Sequence, residues 1–357
     1  MSLTTPASTA KGREALRNLR VESILTTLLA RSPLARTELA ALTGYSPSTV
    51  TGIIQDLTDA GYVREVGHEQ STGGRRRTLI EFDRSSMTIA VITVGGRKIK
   101  ATLIDLNAKI VDQIEQNFTP LDPIASASKA VSVVVARASI RPSRVVLALP
   151  GVVDSDGSVT LAPSFGAVPR LALADALSTS IGIPVIVEND VNLIALGERV
   201  DGAGAGVDDL VLIHIGEGIG ATIIIGGRVL DGSSRSAGEI GFLPQSMNSA
   251  SDGERGQFEK KWSAPGIEFA AQQVGITAVS SDLIAELCSD KSDVARTLLE
   301  DTLNAWAFAA IVCVCVVNPN RVIFSGHAEN LDESARQLLR DRVRAGAPSP
   351  TDVEFAV

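Results

Sequence analysis

Apolar residues recur at helical spacing near the start of the chain. Ile24, Leu25, Leu28 and Leu29 form one stripe, which predicts a first helix over Leu19 to Ala30, ended by Pro33. A short second helix over Thr37 to Thr43 carries Leu39, Ala40 and Leu42, and Gly44 then accepts a left-handed turn. Ser46 can cap a third helix whose first position suits Pro47. Val50, Ile53, Ile54 and Leu57 form its inner stripe, leaving Ser48, Thr49, Thr51, Gly52 and Gln55 facing outward. Strands follow: Tyr62 to Val66 and Thr78 to Phe82 pair across a tip that reads Ser71-Thr72-Gly73-Gly74-Arg75-Arg76-Arg77.

Beyond residue 82 strands alternate with helices. Strands are predicted at Ile89 to Val94, Lys98 to Asp105, Ile110 to Gln116, Arg144 to Leu149 and Pro184 to Val187, with helices at Ile124 to Ala138 and Val191 to Val200. Leu210 to Ile215, the turn Gly216-Glu217-Gly218-Ile219-Gly220, and Ala221 to Ile225 repeat the earlier strand–glycine turn–strand unit around Gly95-Gly96. Helices at Ser292 to Val317 and Leu331 to Arg344 flank a last strand, Arg321 to Phe324. Two such α/β halves with a cleft between them fit an actin-like or sugar-kinase architecture. Its glycine turns face phosphates with backbone N–H groups, although glycine serves ordinary tight turns as well.

Charge is distributed unevenly. The net formal charge is −8, yet residues 1–80 hold ten Lys/Arg against seven Asp/Glu, and the remainder 23 against 34. A basic head on an acidic body is expected where only the head meets a polyanion. A short helix, a glycine turn and a capped helix with a small polar face form a helix-turn-helix pattern. The hydroxyl and amide side chains of Ser46, Ser48, Thr49, Thr51 and Gln55 suit base edges in a major groove. A plain three-helix bundle with a solvated face fits the helices equally. The tip tips the balance, because glycines followed by Arg75, Arg76 and Arg77 suit phosphates or a minor groove. The longest apolar run, Ala305 to Val317, is about 13 residues, against the ~18–20 that span a bilayer. No secretion signal is read at the N-terminus, and Cys288, Cys313 and Cys315 are expected as buried thiols in a reducing cytoplasm. His68, His214 and His327 are scattered, and each is read as a surface or hydrogen-bonded residue rather than a metal ligand.

Glu188-Asn189-Asp190-Val191-Asn192, Gly216-Glu217-Gly218-Ile219-Gly220, Ala237-Gly238-Glu239-Ile240-Gly241 and Gly74-Arg75-Arg76 after a helix-turn-helix together resemble the ROK group of bacterial repressors and sugar kinases. The resemblance covers nearly the whole chain. It implies an N-terminal winged helix-turn-helix over residues 1–82. Residues 83–357 would then form an α/β, actin-like (ribonuclease H-like), two-lobed sugar-kinase domain that binds effector and carries oligomerisation. The carboxylate matching Asp190 is the general base of family kinases. By itself an Asp there could do that chemistry, grip a polyol, or simply cap a helix. Asn189, Asp190, Glu239 and Glu259 match sugar-contacting positions, so the resemblance implies an effector site on those four.

The pattern is broken elsewhere. Phe242 stands where the family has a zinc-binding His, and Ala250, Asp252 and Gln257 align with its cysteines. Zinc in such a site needs N and S ligands, so no metal is expected, and packing of Phe242 is one way the loop could be held. Thr93 replaces the Asp of the first phosphate loop, and Glu217 enters the second. A carboxylate ~4 Å from a phosphate costs roughly several kcal/mol at an effective dielectric near 20. The expected function is a cytoplasmic repressor of a double-stranded operator, a homodimer or homotetramer without cofactor or membrane contact. Its effector is a sugar or sugar phosphate, and Asp190 is vestigial as a base. The alternative is an active ATP-dependent sugar kinase carrying a DNA-binding domain. The family also usually continues past Val353 to Val357 with another small-residue helix, so the terminal strand is expected to be less well buried.

Replacing Arg75 and Arg76 by Ala should weaken DNA binding and lower the slope of log affinity against log salt by about one unit per lost phosphate contact. Gln55→Ala or Thr49→Ala should instead alter preference among operator sequences by ~1–3 kcal/mol. Binding titrations over a salt series separate the two. An arginine double variant that matches wild type at every salt concentration would refute the wing assignment.

Overall fold

The N-terminal apolar stripes converge on one small core. The structure is a computed structural model that describes residues 6–68, 77–95, 98–119, 122–154, 156–161, 171–244, 256–276 and 282–356. The chain divides into two compact units: residues 1–90, 102–113 and 135–143 in one, and residues 91–101, 114–134 and 144–357 in the other.

In the first unit, α1 (Pro6–Arg31) leads through β1 (Leu34–Ala35) into α2 (Arg36–Thr43), α3 (Pro47–Asp59), β2 (Val63–His68) and β3 (Thr78–Phe82). Helix α1 begins at Pro6 rather than at Leu19. Residues 6–18 lack an apolar stripe but contain Ala7, Ala10, Glu14 and Ala15, whose helix propensity carries the helix without one. Gly44 ends α2 at φ 72°, the left-handed geometry expected of it. Val50, Ile53, Ile54 and Leu57 of α3 pack with Ile24, Leu28, Leu39, Val63, Ile80 and Phe82. The strands form an antiparallel sheet in the order β1-β3-β2. A three-helix core closed by such a ribbon is a winged helix-turn-helix.

The second unit contains most of β4 (Thr88–Gly95) and parts of β5 (Lys98–Asp105), β6 (Ile110–Asn117) and α4 (Pro123–Arg137). It continues through β7 (Arg144–Leu149), β8 (Val152–Val153), β9 (Ser158–Leu161), β10 (Leu171–Ala172), α5 (Leu173–Ile181), β11 (Val185–Asn189) and α6 (Asp190–Asp201). Then come β12 (Leu210–Ile215), β13 (Ile219–Ile225), β14 (Arg228–Val229), α7 (Gln257–Trp262), α8 (Ala264–Gln273) and α9 (Leu283–Ser289). The chain closes with α10 (Asp293–Val317), β15 (Arg321–Gly326), α11 (Glu333–Gly346) and β16 (Asp352–Phe355). Two five-stranded sheets result, ordered β11-β7-β4-β5-β6 and β14-β13-β12-β15-β16.

Strand β12 is apolar from Leu210 to Ile213 because both of its faces are covered. Val211, Ile213 and Ile215 join the core with α8, α9, α10 and α11, while Leu210 and Leu212 turn to Val191 and Ala195 of α6. Helix α10 is 25 residues long and apolar enough, by length and composition, to cross a membrane. Its apolar character has a local cause: Trp306 is fully buried in the main core and donates its indole N–H to the Trp262 carbonyl at 3.1 Å.

The terminal strand departs from expectation. β16 pairs in parallel with β15, burying Val353 and Phe355. Phe355 stacks on Phe324 at 6.0 Å, and Arg336 lies 4.7 Å over its ring. Those guanidinium and ring contacts, supplied by α11 and β15, cover the strand without a further helix. Trp306→Ala should destabilise the second unit by about 3–5 kcal/mol through cavity formation, read as a lowered thermal midpoint of that unit.

Candidate functional site

The outward face of α3 is built as its sequence implies. Ser46 Oγ accepts from the Thr49 backbone N–H at 3.2 Å, so this hydroxyl is the helix cap as well as a candidate base contact. It also lies 3.0 Å from Ser48 Oγ and 2.8 Å from Thr49 Oγ1. Ser48, Thr51 and Gln55 are exposed, and Thr49 is half-buried. Gln55 donates to Asp59 at 2.8 Å, and Asp56 pairs with Arg17 of α1 at 2.6 Å. Arg77 lies 3.5 Å from Thr37 Oγ1. Arg75 and Arg76 lie outside the described residues.

The second candidate site starts where β11 becomes α6. Asn189 caps α6: its Oδ1 accepts from Asn192 N at 3.0 Å, and its Nδ2 donates to the Gly151 carbonyl at 2.9 Å. Asp190, in the first turn, accepts from Val191 N at 2.9 Å. The helix cap is therefore Asn189 and not Asp190, which stands one position inside the helix. Glu188 was not singled out from the sequence, yet its Oε1 accepts from Asn189 N at 2.9 Å and from Asn192 Nδ2 at 3.0 Å. Thr222 of β13 donates to Asn192 Oδ1 at 2.8 Å.

Opposite this corner, Gly238 sits at φ 92° with its carbonyl accepting from Ala221 N at 2.8 Å. A Cβ at 238 would run into the Ala221 carbonyl, so glycine is required there and fixes the neighbouring Glu239. Glu259, on α7, accepts from Ile219 N at 3.2 Å, against the glycine turn. A Cβ at Gly218 would come within 2.8 Å of its Oε2. Glu239 is close enough to both Glu259 and Asp190 to feel their charges. Burial raises the Asp190 carboxyl above the ordinary range, and burial followed by the negative charges of Glu259 and Asp190 raises Glu239. Asn189 and Glu239 line a cavity of about 30 Å³ together with Gly151, Asn192 and Gly220.

The end of β12 and β15 carries a polar cluster that sequence reasoning treated as scattered residues. His214 Nδ1 is 2.9 Å from Ser325 Oγ, and burial, with help from His327, lowers the His214 pKa to about 4. Burial lowers His327 as well, opposed by Glu217 and Glu329. His327 is half-buried, and its Nδ1 is without a hydrogen-bond partner among the described residues. The Gly326 amide donates to Glu329 Oε1 at 2.6 Å. Of the expected loop supports, Phe242 is half-buried, and its neighbour Leu243 packs against the main core. Gln257 opens α7, whereas Ala250 and Asp252, together with Gly96 and Arg97 of the first glycine turn, lie outside the described residues. Among the described residues no three His, Cys, Asp or Glu side chains gather to hold a metal.

A winged helix-turn-helix in a chain with a sugar-kinase-like α/β body defines the class. The ROK family model matches residues 89–356, and an IclR helix-turn-helix domain model matches residues 23–67. The chain belongs to the ROK family. It is 28% identical over 244 residues to the xylose repressor of Bacillus subtilis, a match that covers 66% of this chain and 63% of that protein. The xylose repressor of Caldicellulosiruptor bescii is 25% identical over 347 residues, covering 89% of this chain and 85% of its own. The DNA-binding transcriptional dual regulator NagC of Escherichia coli is 29% identical over 221 residues, covering 59% and 53%. In fold, the chain is similar to a ROK family transcriptional regulator, a homolog of the E. coli MLC protein. That structure has a TM-score of 0.80 and 20% identity, covering 96% of this chain and 92% of its own. A ROK family glucokinase from Streptomyces griseus, solved with glucose and AMPPNP, gives a TM-score of 0.63 at 22% identity, covering 75% and 94%.

His214 supplies a pH test. Its folded pKa is lowered, so its contribution to stability is present above the ordinary value of 6.5 and is lost as pH falls from 6.5 toward about 4. Thermal midpoints of wild type and His214→Gln, measured from pH 7.5 to 4, should diverge across that window. The wild type should lose about 3 kcal/mol more than the variant, the energy equivalent of the shift. Parallel curves would refute the buried neutral imidazole.

Proposed function

We propose that this chain is a transcription regulator, a repressor, whose residues 1–82 bind a double-stranded DNA operator and whose residues 83–357 bind a sugar or sugar phosphate. The observation that carries the reading is one chain's possession of both a capped α3 with an outward hydroxyl and amide face and the Asn189, Asp190, Glu239 and Glu259 group. The relatives named as xylose repressors and as NagC support it. Ser46, Ser48, Thr49, Thr51, Gln55, Arg75, Arg76 and Arg77 are the DNA-contacting set. A homodimer or homotetramer follows from the need to present two recognition helices to a pseudo-palindrome, and the cytoplasm from the need to reach DNA.

Effector binding without phosphoryl transfer is the second part of the reading. Glu217 places a carboxylate on the glycine turn, and the Gly326 amide is already taken by Glu329 at 2.6 Å. His214 Nε2 lies 2.8 Å from where a Cβ on Gly216 would sit, so the imidazole crowds the same turn. Thr93 completes the departure from the family's phosphate loops. Asp190 then serves as a ligand contact, its free oxygen accepting from a hydroxyl rather than activating it. No metal takes part. Phe242 offers an apolar face to a deoxy carbon or an acetyl group.

A ligand moves the heads only if it prefers one conformational state of the body, since equal affinity shifts nothing. A tenfold change in operator affinity needs ~1.4 kcal/mol of that preference. Thermal shift with D-xylose, D-glucose, N-acetylglucosamine and their phosphates should yield an effector, because saturation at 100 times Kd adds ~2.7 kcal/mol. Asp190→Ala and Glu239→Ala should then abolish the effector's influence on operator binding and leave effector-free binding within about twofold. Unchanged response in both variants would place the effector elsewhere, and sugar-dependent ATP turnover in a coupled assay would favour the kinase alternative.

A further inference from the structure

Arg235 belongs to neither group of residues discussed so far, and its geometry is unusual. It stands in the segment Asp231-Gly232-Ser233-Ser234-Arg235-Ser236-Ala237-Gly238-Glu239 at φ 54°, a left-handed backbone that non-glycine residues seldom adopt. Its side chain is only a quarter exposed and lines the cavity of about 30 Å³ beside Asn189 and Glu239. That cavity has room for about two waters, far below the ~300 Å³ at which small-molecule sites begin.

Beside the cavity, the guanidinium reaches groups on three segments of the chain. Its Nη2 lies 3.3 Å from Glu188 Oε2 and 3.2 Å from Asp231 Oδ1, while Nη1 donates to the Asp154 carbonyl at 3.4 Å. All three contacts are long for charge-assisted hydrogen bonds, which favour about 2.7–2.9 Å. Glu188 spends its other oxygen on Asn189 N and Asn192 Nδ2, the groups that hold the start of α6. Arg235 therefore ties the loop carrying Glu239 to the corner carrying Asn189 and Asp190. We propose that Arg235 is a further residue of the effector site: a cationic latch that fills and closes the cavity when it is empty. An effector enters by separating Arg235 from Glu188.

A sugar hydroxyl suits that exchange because it donates to the released Glu188 carboxylate in place of the guanidinium. The long contacts mark the pair as one that yields, and the left-handed backbone keeps the side chain aimed at it. The proposal rests on the effector reading of Asn189, Asp190 and Glu239. It adds the residue that sets access and the bond that breaks.

The test uses full-length protein and two readouts. Arg235→Gly accepts the left-handed backbone without strain, and Glu188→Gln keeps the shape of its partner. In hydrogen–deuterium exchange without added sugar, each variant should speed exchange of amides 185–192 and 230–239 by about tenfold. The double variant should exceed neither single, and Arg235→Lys should restore most of the protection. Unchanged exchange, or effects that simply add, would overturn the latch. In calorimetric titration with D-xylose and N-acetylglucosamine, Arg235→Gly should bind about tenfold more tightly than wild type, because a site that no longer closes on itself loses the penalty of opening. Equal or weaker binding by the variant would overturn the proposal and make Arg235 a plain contact or a structural residue. If neither sugar binds either protein, that result counts against the effector reading, and the exchange measurements alone decide the latch.

Discussion

The candidate effector site depends on one close approach of backbone to backbone. Gly238 comes so near the Ala221 carbonyl that no side chain fits between them, and its own carbonyl accepts from Ala221 N at 2.8 Å. This contact fastens the loop to β13 and sets Glu239 where it feels the charges of Glu259 and Asp190. Strand β13 is itself held by β12, which is buried on both faces. The rigidity of that sheet passes directly to the carboxylates. A bulkier residue at 238 would remove the pairing and the site together, without touching any group that meets a ligand.

Two polar groups lie around this sheet. One is the carboxylate set of Asp190, Glu239 and Glu259, in which Glu239 feels the charges of the other two and Glu259 accepts from Ile219 N. Such a set suits a hydroxyl-rich ligand, because each acceptor left unpaired in a partly buried place is costly. The other gathers His214, whose Nδ1 lies 2.9 Å from Ser325 Oγ and whose ring crowds Gly216, with Glu329, which accepts from the Gly326 amide.

Much of the fold was legible in the pattern of apolar residues. The stripes of α3 and the strands at Thr78–Phe82, Lys98–Asp105, Arg144–Leu149 and Leu210–Ile215 fall where periodicity places them. Helices α5, α7, α8 and α9 were not read. Each is short, and α8 begins Ala264-Pro265-Gly266, which looks like a turn in isolation. Gly266 is there because a Cβ would meet the Lys260 carbonyl at 2.5 Å, a packing reason that no local pattern carries.

The sequence by itself determined the helix-turn-helix stripes, the main alternation of strands and helices, and the basic head on an acidic body. These follow from local periodicity and charge, which act over a few residues, while the motifs around Asn189, Asp190 and Glu239 carried the family resemblance. Only the tertiary structure decided that Glu188 organises the start of α6, that Arg235 reaches it across 47 residues of chain, and that Val353 and Phe355 are covered by β15 and α11. Those outcomes depend on which surfaces meet, and a meeting between residues far apart in the chain leaves no periodic trace in either segment.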